Sequence, residues 1–144
     1  MSGSLHVVVG ASGGTGGALV RELDRRGHRV RAVHRRGDAP APAGVERLAA
    51  DVAAPDGAKA AAAGAAVVYH CAQPPYTRWP AAFPPLTEAI TEGAAAAGAK
   101  LVLADNLYLY GPHDGPLTED LPAAATGRKG RVRAEMGTEG PVAA

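Results

Sequence analysis

The residues best suited to chemistry stand near the start of the chain. Gly10, Gly13 and Gly16 recur within Gly10-Ala11-Ser12-Gly13-Gly14-Thr15-Gly16, after the apolar run around Val7, Val8 and Val9 and before Leu19, Val20 and Leu23. A buried strand, a glycine loop and a helix start in that order form an anion site. The first helical N–H groups have no intrahelical acceptor, and the positive end of the helix dipole faces whatever they hold. Glycines permit the tight turn, the close approach of a pyrophosphate to the backbone, and close packing of helix on strand. The bland alternative is a tight turn without a ligand. Two rival chemistries share these residues. A Walker loop needs Gly-Lys-Ser/Thr, and this loop has no lysine. Gly10-Ala11-Ser12-Gly13-Gly14 also spells the GxSxG nucleophile elbow, but that elbow needs an oxyanion donor from an earlier strand's loop, and a single strand precedes Ser12.

If the loop holds a dinucleotide, the end of the second strand chooses which one. An NAD site usually has Asp or Glu there, about twenty residues past the loop, to bind ribose hydroxyls. Here the place is taken by His34, Arg35 and Arg36. A guanidinium fork suits a 2′-phosphate and offers no acceptor to a hydroxyl. The expected cofactor is therefore NADP, with NAD second, and Ser12 adds a hydroxyl donor for the same phosphate. The alternative is a solvated, arginine-bearing strand end.

The elements that must position these residues alternate in type. Strands are expected at the Val7–Val9 run, at His28–His34, at Gly44–Ala50, at Ala65–Cys71 and at Lys100–Ala104. Helices are expected after the glycine loop as far as Gly27, over Pro55–Ala63, over Leu86–Ala97 after a proline-rich loop, and over Arg128–Met136. Alternating strand and helix is the pattern of a parallel sheet with helices on both faces. The expected fold class is α/β, a Rossmann-like doubly wound parallel sheet of about five strands in the order 3-2-1-4-5. One dinucleotide-binding domain over 1–136 and an irregular tail over 137–144 complete the expected organisation.

Composition narrows the classes. The 144 residues carry 15 Lys+Arg against 14 Asp+Glu, a net charge of +1, so no charge bias attracts nucleic acid or an anionic membrane. One cysteine cannot form an internal disulfide, which points to a reducing cytoplasm. No signal-peptide pattern opens the chain, and the alanine-rich stretch from Ala60 to Val68 is too short and weak to span a bilayer. His70 and His113 lack metal-ligand spacing, so no metal is expected. Cys71 reads as a small buried residue, since no motif places a base beside it.

The sequence resembles the short-chain dehydrogenase/reductase superfamily in its extended or atypical branch, the NAD-dependent epimerase/dehydratase type. The resemblance rests on Gly10 to Gly16, on Asp51-Val52, on His70-Cys71-Ala72-Gln73-Pro74 and on Leu109-Tyr110-Gly111. It implies that Asp51 and Val52 contact adenine, whereas the residues alone read as a turn and cap before Pro55. It implies that Ala72 and Gln73 line the ribose and nicotinamide. It also implies a Tyr-x-x-x-Lys pair, in which the lysine tunes the phenol for proton transfer. This chain departs from the pattern there. Anchoring on Lys129 puts Ala125 at the tyrosine position, anchoring on Glu135 puts Gly127 there, and Asn106 stands at the family's hydroxyl position. Asn106, Tyr108 and Lys129 remain as candidate catalytic groups, with Tyr110 and Tyr108 on one face at strand spacing and Tyr110 read as core. Arg128, Lys129, Arg131 and Arg133 read as the solvated start of a helix, and Thr118–Pro122 as a polar turn or a loop over a substrate cleft.

Family members of this type are longer, adding a sixth and seventh strand and a substrate region. The expectation is an incomplete enzyme of carbonyl or alcohol hydride transfer, with a sugar nucleotide as one possible substrate. The alternative is a non-enzymatic NADP(H) sensor or scaffold. A fifth strand without its neighbour would leave an apolar edge open to a second copy or to a partner chain.

Overall fold

The structure is a computed structural model and describes residues 3–139. Contacts divide the chain into two compact units, residues up to Gln73 with Pro85–Ala104, and Pro74–Pro84 with the residues from Asp105 onward.

The first unit is a five-stranded sheet of β1 (Leu5–Val9), β2 (Arg29–His34), β3 (Glu46–Ala49), β4 (Ala65–His70) and β5 (Lys100–Leu103). The order is β3-β2-β1-β4-β5 and every pair is parallel, as expected. β1 sits in the middle and is buried along its whole length, which is why it is an unbroken apolar run apart from His6. Val7 and Val9 face one core with Val68, Ala58 and Ala61 of α2 (Pro55–Ala62), and Leu86 and Ile90 of α3 (Trp79–Ala96). Val8 faces the other core with Val30, Ala32, and Val20 and Leu23 of α1 (Gly14–Arg25). Alternation along one strand thus builds helices onto both faces.

Arg31 ties three elements together. Its Nε donates to Glu46 Oε1 at 2.9 Å, and its Nη1 donates to the carbonyls of Ala61 and Ala63 at 3.0 and 2.8 Å. The cation therefore satisfies carbonyls at the end of α2, where the helix dipole favours positive charge.

His6 is the polar residue of β1. Its Nδ1 lies 3.0 Å from the Tyr69 hydroxyl and its Nε2 3.3 Å from Ser4 Oγ, and its ring centroid is 4.4 Å from that of His28. Burial, and secondly the charge of His28, hold its pKa below the usual 6.5. The folded chain resists a proton that the unfolded chain accepts, so this contribution to stability is complete above pH 6.5 and is lost as pH falls below it. Melting curves at about pH 7.5 and about pH 5.5 should show a larger drop for the wild type than for His6→Phe.

Two elements differ from expectation. The third helix starts at Trp79 rather than Leu86, so Pro80, Pro84 and Pro85 lie within it. Pro80 occupies the first turn, where a missing N–H costs nothing. Trp79 and Phe83 are one helical turn apart and bury together with Val132 and Met136 in the core of the second unit, which favours the helix despite its prolines. Leu107–Tyr110 is a 3-10 turn rather than a strand-like segment, and Tyr110 is half-buried.

The second unit contains the first turns of α3, 3-10 turns at Tyr76–Arg78 and Leu107–Tyr110, and α4 (Arg128–Glu139). α4 enters the stretch expected to be irregular, and residues 140–144 of that tail lie outside the described residues. Among the described residues no helix is long and apolar enough to cross a membrane.

Candidate functional site

β1 ends because Gly10 turns the chain at φ +83°. The amides of Gly10 and Ala11 both donate to the Val33 carbonyl at 3.2 Å, and Cys71 N–H donates to the Val9 carbonyl at 2.9 Å, so the loop is pinned to the ends of β2 and β4. A Cβ at Gly10 would stand 2.5 Å from the Ala72 amide nitrogen, and one at Gly16 would overlap the Gly10 carbonyl oxygen. Close backbone approach demands glycine at both places, and at Gly10 the positive φ demands it as well.

α1 starts at Gly14 with Gly13 as an extended N-cap that offers no side-chain acceptor. Gly17 N–H makes the first helical bond, to the Gly13 carbonyl at 2.8 Å. The amides of Gly14, Thr15 and Gly16 precede that bond and need an acceptor from outside the helix. Ser12, Gly13, Gly14 and Thr15 are exposed, a Cβ at Gly14 would meet nothing within 4 Å, and no acidic residue stands in the first turn. The loop lies where the strand order reverses between β1 and β4, at the carboxyl ends of the strands, the place where open α/β sheets hold ligands. Free amides, open space and absent negative charge fit a pyrophosphate.

The other candidates of this unit flank the same strand ends. His34 closes β2, and its Nδ1 is 2.8 Å from Asp38 Oδ1. Arg36 Nε lies 3.3 Å from Asp38 Oδ2. Asp38, not singled out in the sequence, therefore occupies two of the three basic groups. Arg35 is exposed and has no ion-pair partner among the described residues. Asp51 is exposed and its Oδ1 accepts from the Ala53 amide at 3.1 Å, an Asx turn leading into α2. Val52 is buried in the core under α2. Ala72 backs the Gly10 turn and Gln73 is exposed. Cys71 is half-buried rather than fully buried as expected, and desolvation raises its thiol pKa. His70 is buried, with Nε2 3.0 Å from Thr87 Oγ1.

Asn106, Tyr108 and Lys129 all fall in the second unit. Asn106 caps the 3-10 turn, its side-chain oxygen accepting from Tyr108 N–H at 3.0 Å. Tyr108 is exposed, and its hydrogen bond with Tyr76 is the main cause of a raised phenol pKa. Lys129 donates to the Tyr76 carbonyl at 2.8 Å and its ammonium sits over the Tyr76 ring. Desolvation pulls its pKa down. Tyr76 thus joins both candidates, and the sequence reading did not pick it out. Tyr108 and Lys129 line one open cleft of about 610 Å³ together with Tyr76.

Arg133 corrects another expectation. Instead of a solvated helix start, its side chain is fully buried, with its guanidinium carbon 4.7 Å from the Trp79 ring and 4.4 Å from the Phe83 ring. Asp105 Oδ1 lies 3.2 Å from its Nη1 and also accepts from the Asn106 amide at 2.7 Å. Arg128 and Arg131 remain exposed. Thr118 and Asp120 hydrogen-bond within the 118–122 loop, and that hydroxyl lowers the Asp120 carboxyl pKa. Among the described residues no group of three or more His, Cys, Asp or Glu could hold a metal ion.

A family described as NAD(P)H-binding matches residues 10–131, from the loop glycine into α4. No curated protein matches the sequence. Among solved structures, MoeE5 in complex with UDP-glucose and NAD is 27% identical with a TM-score of 0.77, and the match covers 94% of this chain and 47% of that one. A UDP-galactose 4-epimerase is 24% identical with a TM-score of 0.79, covering 93% and 49%. A short-chain dehydrogenase/reductase superfamily protein from Agrobacterium tumefaciens with bound NAD is 24% identical with a TM-score of 0.76, covering 93% and 43%. The chain spans about half the length of these proteins, and the two less similar ones establish the shared fold alone. The matched family, the strand order and the glycine loop agree: the chain belongs to the NAD(P)H-binding family and has the Rossmann-like fold of short-chain dehydrogenase/reductase and epimerase structures.

Proposed function

We propose that this chain binds NADP(H), in preference to NAD(H), at the carboxyl ends of β1, β2 and β4. The observation that carries the reading is the start of α1, where three amides lack intrahelical acceptors and Gly14 and Thr15 are exposed at the reversal of strand order. In this reading the amides of Gly14, Thr15 and Gly16 hold the pyrophosphate, with Gly13 beside them, and Ser12 adds a hydroxyl donor for the 2′-phosphate. Arg35, exposed and free of Asp38, takes the 2′-phosphate, and Arg36 and His34 border it. Asp51 and Val52 stand at the adenine end, and Ala72 and Gln73 at the ribose and nicotinamide end. The dinucleotide-binding domain is assigned to 1–136.

A bound nicotinamide dinucleotide supplies hydride transfer, and the parent activity is assigned to a carbonyl or alcohol substrate, with a sugar nucleotide among the options. Support for that class comes from MoeE5 in complex with UDP-glucose and NAD. A second reading, an NADP(H) sensor or scaffold, is favoured by one observation. Neither Ala125 nor Gly127 offers a phenol, and the nearby Tyr108 is shifted away from easy ionisation. The β5 edge, paired with β4 alone among the described strands, is assigned to strand pairing with a second copy or a partner chain. A reducing cytoplasm suits the single thiol.

A thermal melt with NADP⁺ and with NAD⁺ tests the reading. Ligand at about 100 times its Kd should stabilise the fold by roughly 2.7 kcal/mol. NADP⁺ is expected to shift the Tm further than NAD⁺ at equal concentration. Arg35→Ala should weaken NADP⁺ by about ten- to hundredfold, the worth of one charge-assisted hydrogen bond, and leave NAD⁺ unchanged. Equal shifts by both dinucleotides in the wild type would sink the NADP preference, and no shift with either would sink the site. Consumption of NADPH with carbonyl substrates separates enzyme from sensor.

A further inference from the structure

A cluster of polar side chains stands at the amino ends of the strands, the opposite end of the sheet from the glycine loop. His6 shares the α1 face of β1 with Val8, in a strand otherwise apolar. His28 follows Gly27, whose φ of +80° ends α1. Gly27 N–H donates to the Asp24 carbonyl at 2.9 Å and His28 N–H to the Leu23 carbonyl at 3.1 Å, which fixes where His28 leaves the helix. The two imidazole centroids are 4.4 Å apart and the rings are tilted by 43°. His6 Nδ1 lies 3.0 Å from the Tyr69 hydroxyl, and its Nε2 lies 3.3 Å from Ser4 Oγ. Ser4 and His28 are both exposed, so the cluster opens to solvent on the Nε2 side.

We propose that His6 and His28 together bind a divalent transition-metal ion of the zinc class, through one imidazole nitrogen each, with water completing the shell. Imidazole suits zinc, nickel and copper, whereas magnesium takes oxygen ligands. With Nδ1–H donated to Tyr69, His6 Nε2 keeps its lone pair for the ion, and a metal-bound histidine holds its second nitrogen in this way. Two imidazoles on one zinc, at about 2.1 Å each, set their centroids roughly 4.5–5.3 Å apart for ligand angles from square to tetrahedral. The observed pair is within a small opening of that range, and the exposed His28 ring can supply it. The carboxyl end of α1 adds a field that favours a cation. Arg25 and Arg26, in and just after its last turn, are both tied to Glu22. Among the described residues no carboxylate or thiol joins the two histidines, so the hydroxyl of Ser4 and water are the remaining donors. The site lies away from the dinucleotide end and does not rest on that reading.

The full chain, dialysed against a chelator, is titrated with Zn²⁺, Ni²⁺ and Mg²⁺ by calorimetry, while ¹H–¹⁵N NMR follows each histidine ring. Zn²⁺ should saturate the site with His6 and His28 shifting together, and Mg²⁺ should bind at least about tenfold more weakly. Zn²⁺ should also raise the Tm of the wild type. His28→Gln, a change at an exposed turn, should lose at least about tenfold in Zn²⁺ affinity. Tyr69→Phe removes the acceptor behind His6 without touching either ligand, and should lose about tenfold. His113→Ala, at an exposed histidine of the second unit, should leave the affinity unchanged. Melting curves without metal confirm that each variant is folded. Equal Zn²⁺ affinity in the wild type and His28→Gln, unchanged affinity in Tyr69→Phe, or Mg²⁺ binding as tight as Zn²⁺ would each overturn the proposal. So would NMR shifts confined to other histidines, or no saturation by Zn²⁺. A thermal shift by NADP⁺ in the same preparations reports the dinucleotide site separately.

Discussion

Gly10→Ala is expected to destabilise the fold by roughly 2–5 kcal/mol, from a side chain forced into left-handed backbone and from overpacking against a neighbouring strand end. The two costs have separate sources in the structure. At φ +83° any L side chain is strained, and the added Cβ would stand 2.5 Å from the Ala72 amide nitrogen, which is backbone and cannot rotate aside. Urea unfolding followed by circular dichroism measures the loss, and dinucleotide binding should vanish with it. Gly14→Ala is the informative contrast. Nothing lies within 4 Å of its added Cβ, and the position begins a helix, so stability should rise by about 0.4–1 kcal/mol through a less flexible unfolded chain. The new methyl would stand over the amides assigned to the pyrophosphate, and NADP⁺ affinity should fall about tenfold or more. A Gly14→Ala protein that is more stable and binds as well as the wild type would refute that assignment. A Gly10→Ala protein as stable as the wild type would show that the strand ends can separate freely.

Asp105→Ala should be the second most damaging change, at roughly 3 kcal/mol, because it leaves a buried cation without its counter-ion. The Arg133 side chain is fully buried, whereas that of Asp105 is about one-third exposed at 32%. That asymmetry predicts asymmetric mutants. Arg133→Met keeps a long apolar side chain at this position and leaves a carboxylate that water can still reach, so it should cost less than Asp105→Ala. The double mutant should recover much of the Asp105→Ala loss, since no charge then remains buried. Chemical denaturation of the four proteins closes the cycle, and additive single costs would count against the pairing. Asp105 also accepts from the Asn106 amide, so its loss should loosen the turn that carries Tyr108. Amide hydrogen exchange at Tyr108, slower in the wild type than in Asp105→Ala, would register that.

The order of elements and the place of the phosphate loop were legible in the residues alone because their signals are local. The unbroken Val7–Val9 run, ended by Gly10, reads as a strand covered on both faces, and the glycine loop before an amphipathic stretch reads as the opening of a helix; both are found. The parallel sheet followed from the alternation of strand and helix, the order 3-2-1-4-5 came with the Rossmann-like reading, and the five-stranded sheet has that order. Asp51 was legible in one of its two readings, as the acceptor of a turn before Pro55.

Other features needed the tertiary structure, because they depend on groups far apart in sequence. Proline counting put Trp79–Pro85 in a loop, but local propensity lost to the burial of Trp79 and Phe83 against Val132 and Met136. Arg133 looked like one member of a basic run, yet Lys129, Val132, Arg133 and Met136 follow helical spacing, and that periodicity was the overlooked signal that Arg133 turns inward. Tyr76 had no signal at all, since its partners Tyr108 and Lys129 lie more than thirty residues away. Asp38 is close to His34 and Arg36, but only folding brings its carboxylate onto both and leaves Arg35 unclaimed. The sequence by itself determined the alternation of strand and helix and the amides at the start of α1, since backbone groups follow from local conformation. Only the tertiary structure decided which charged and aromatic side chains meet, because long side chains choose partners by packing and desolvation, which no spacing rule encodes.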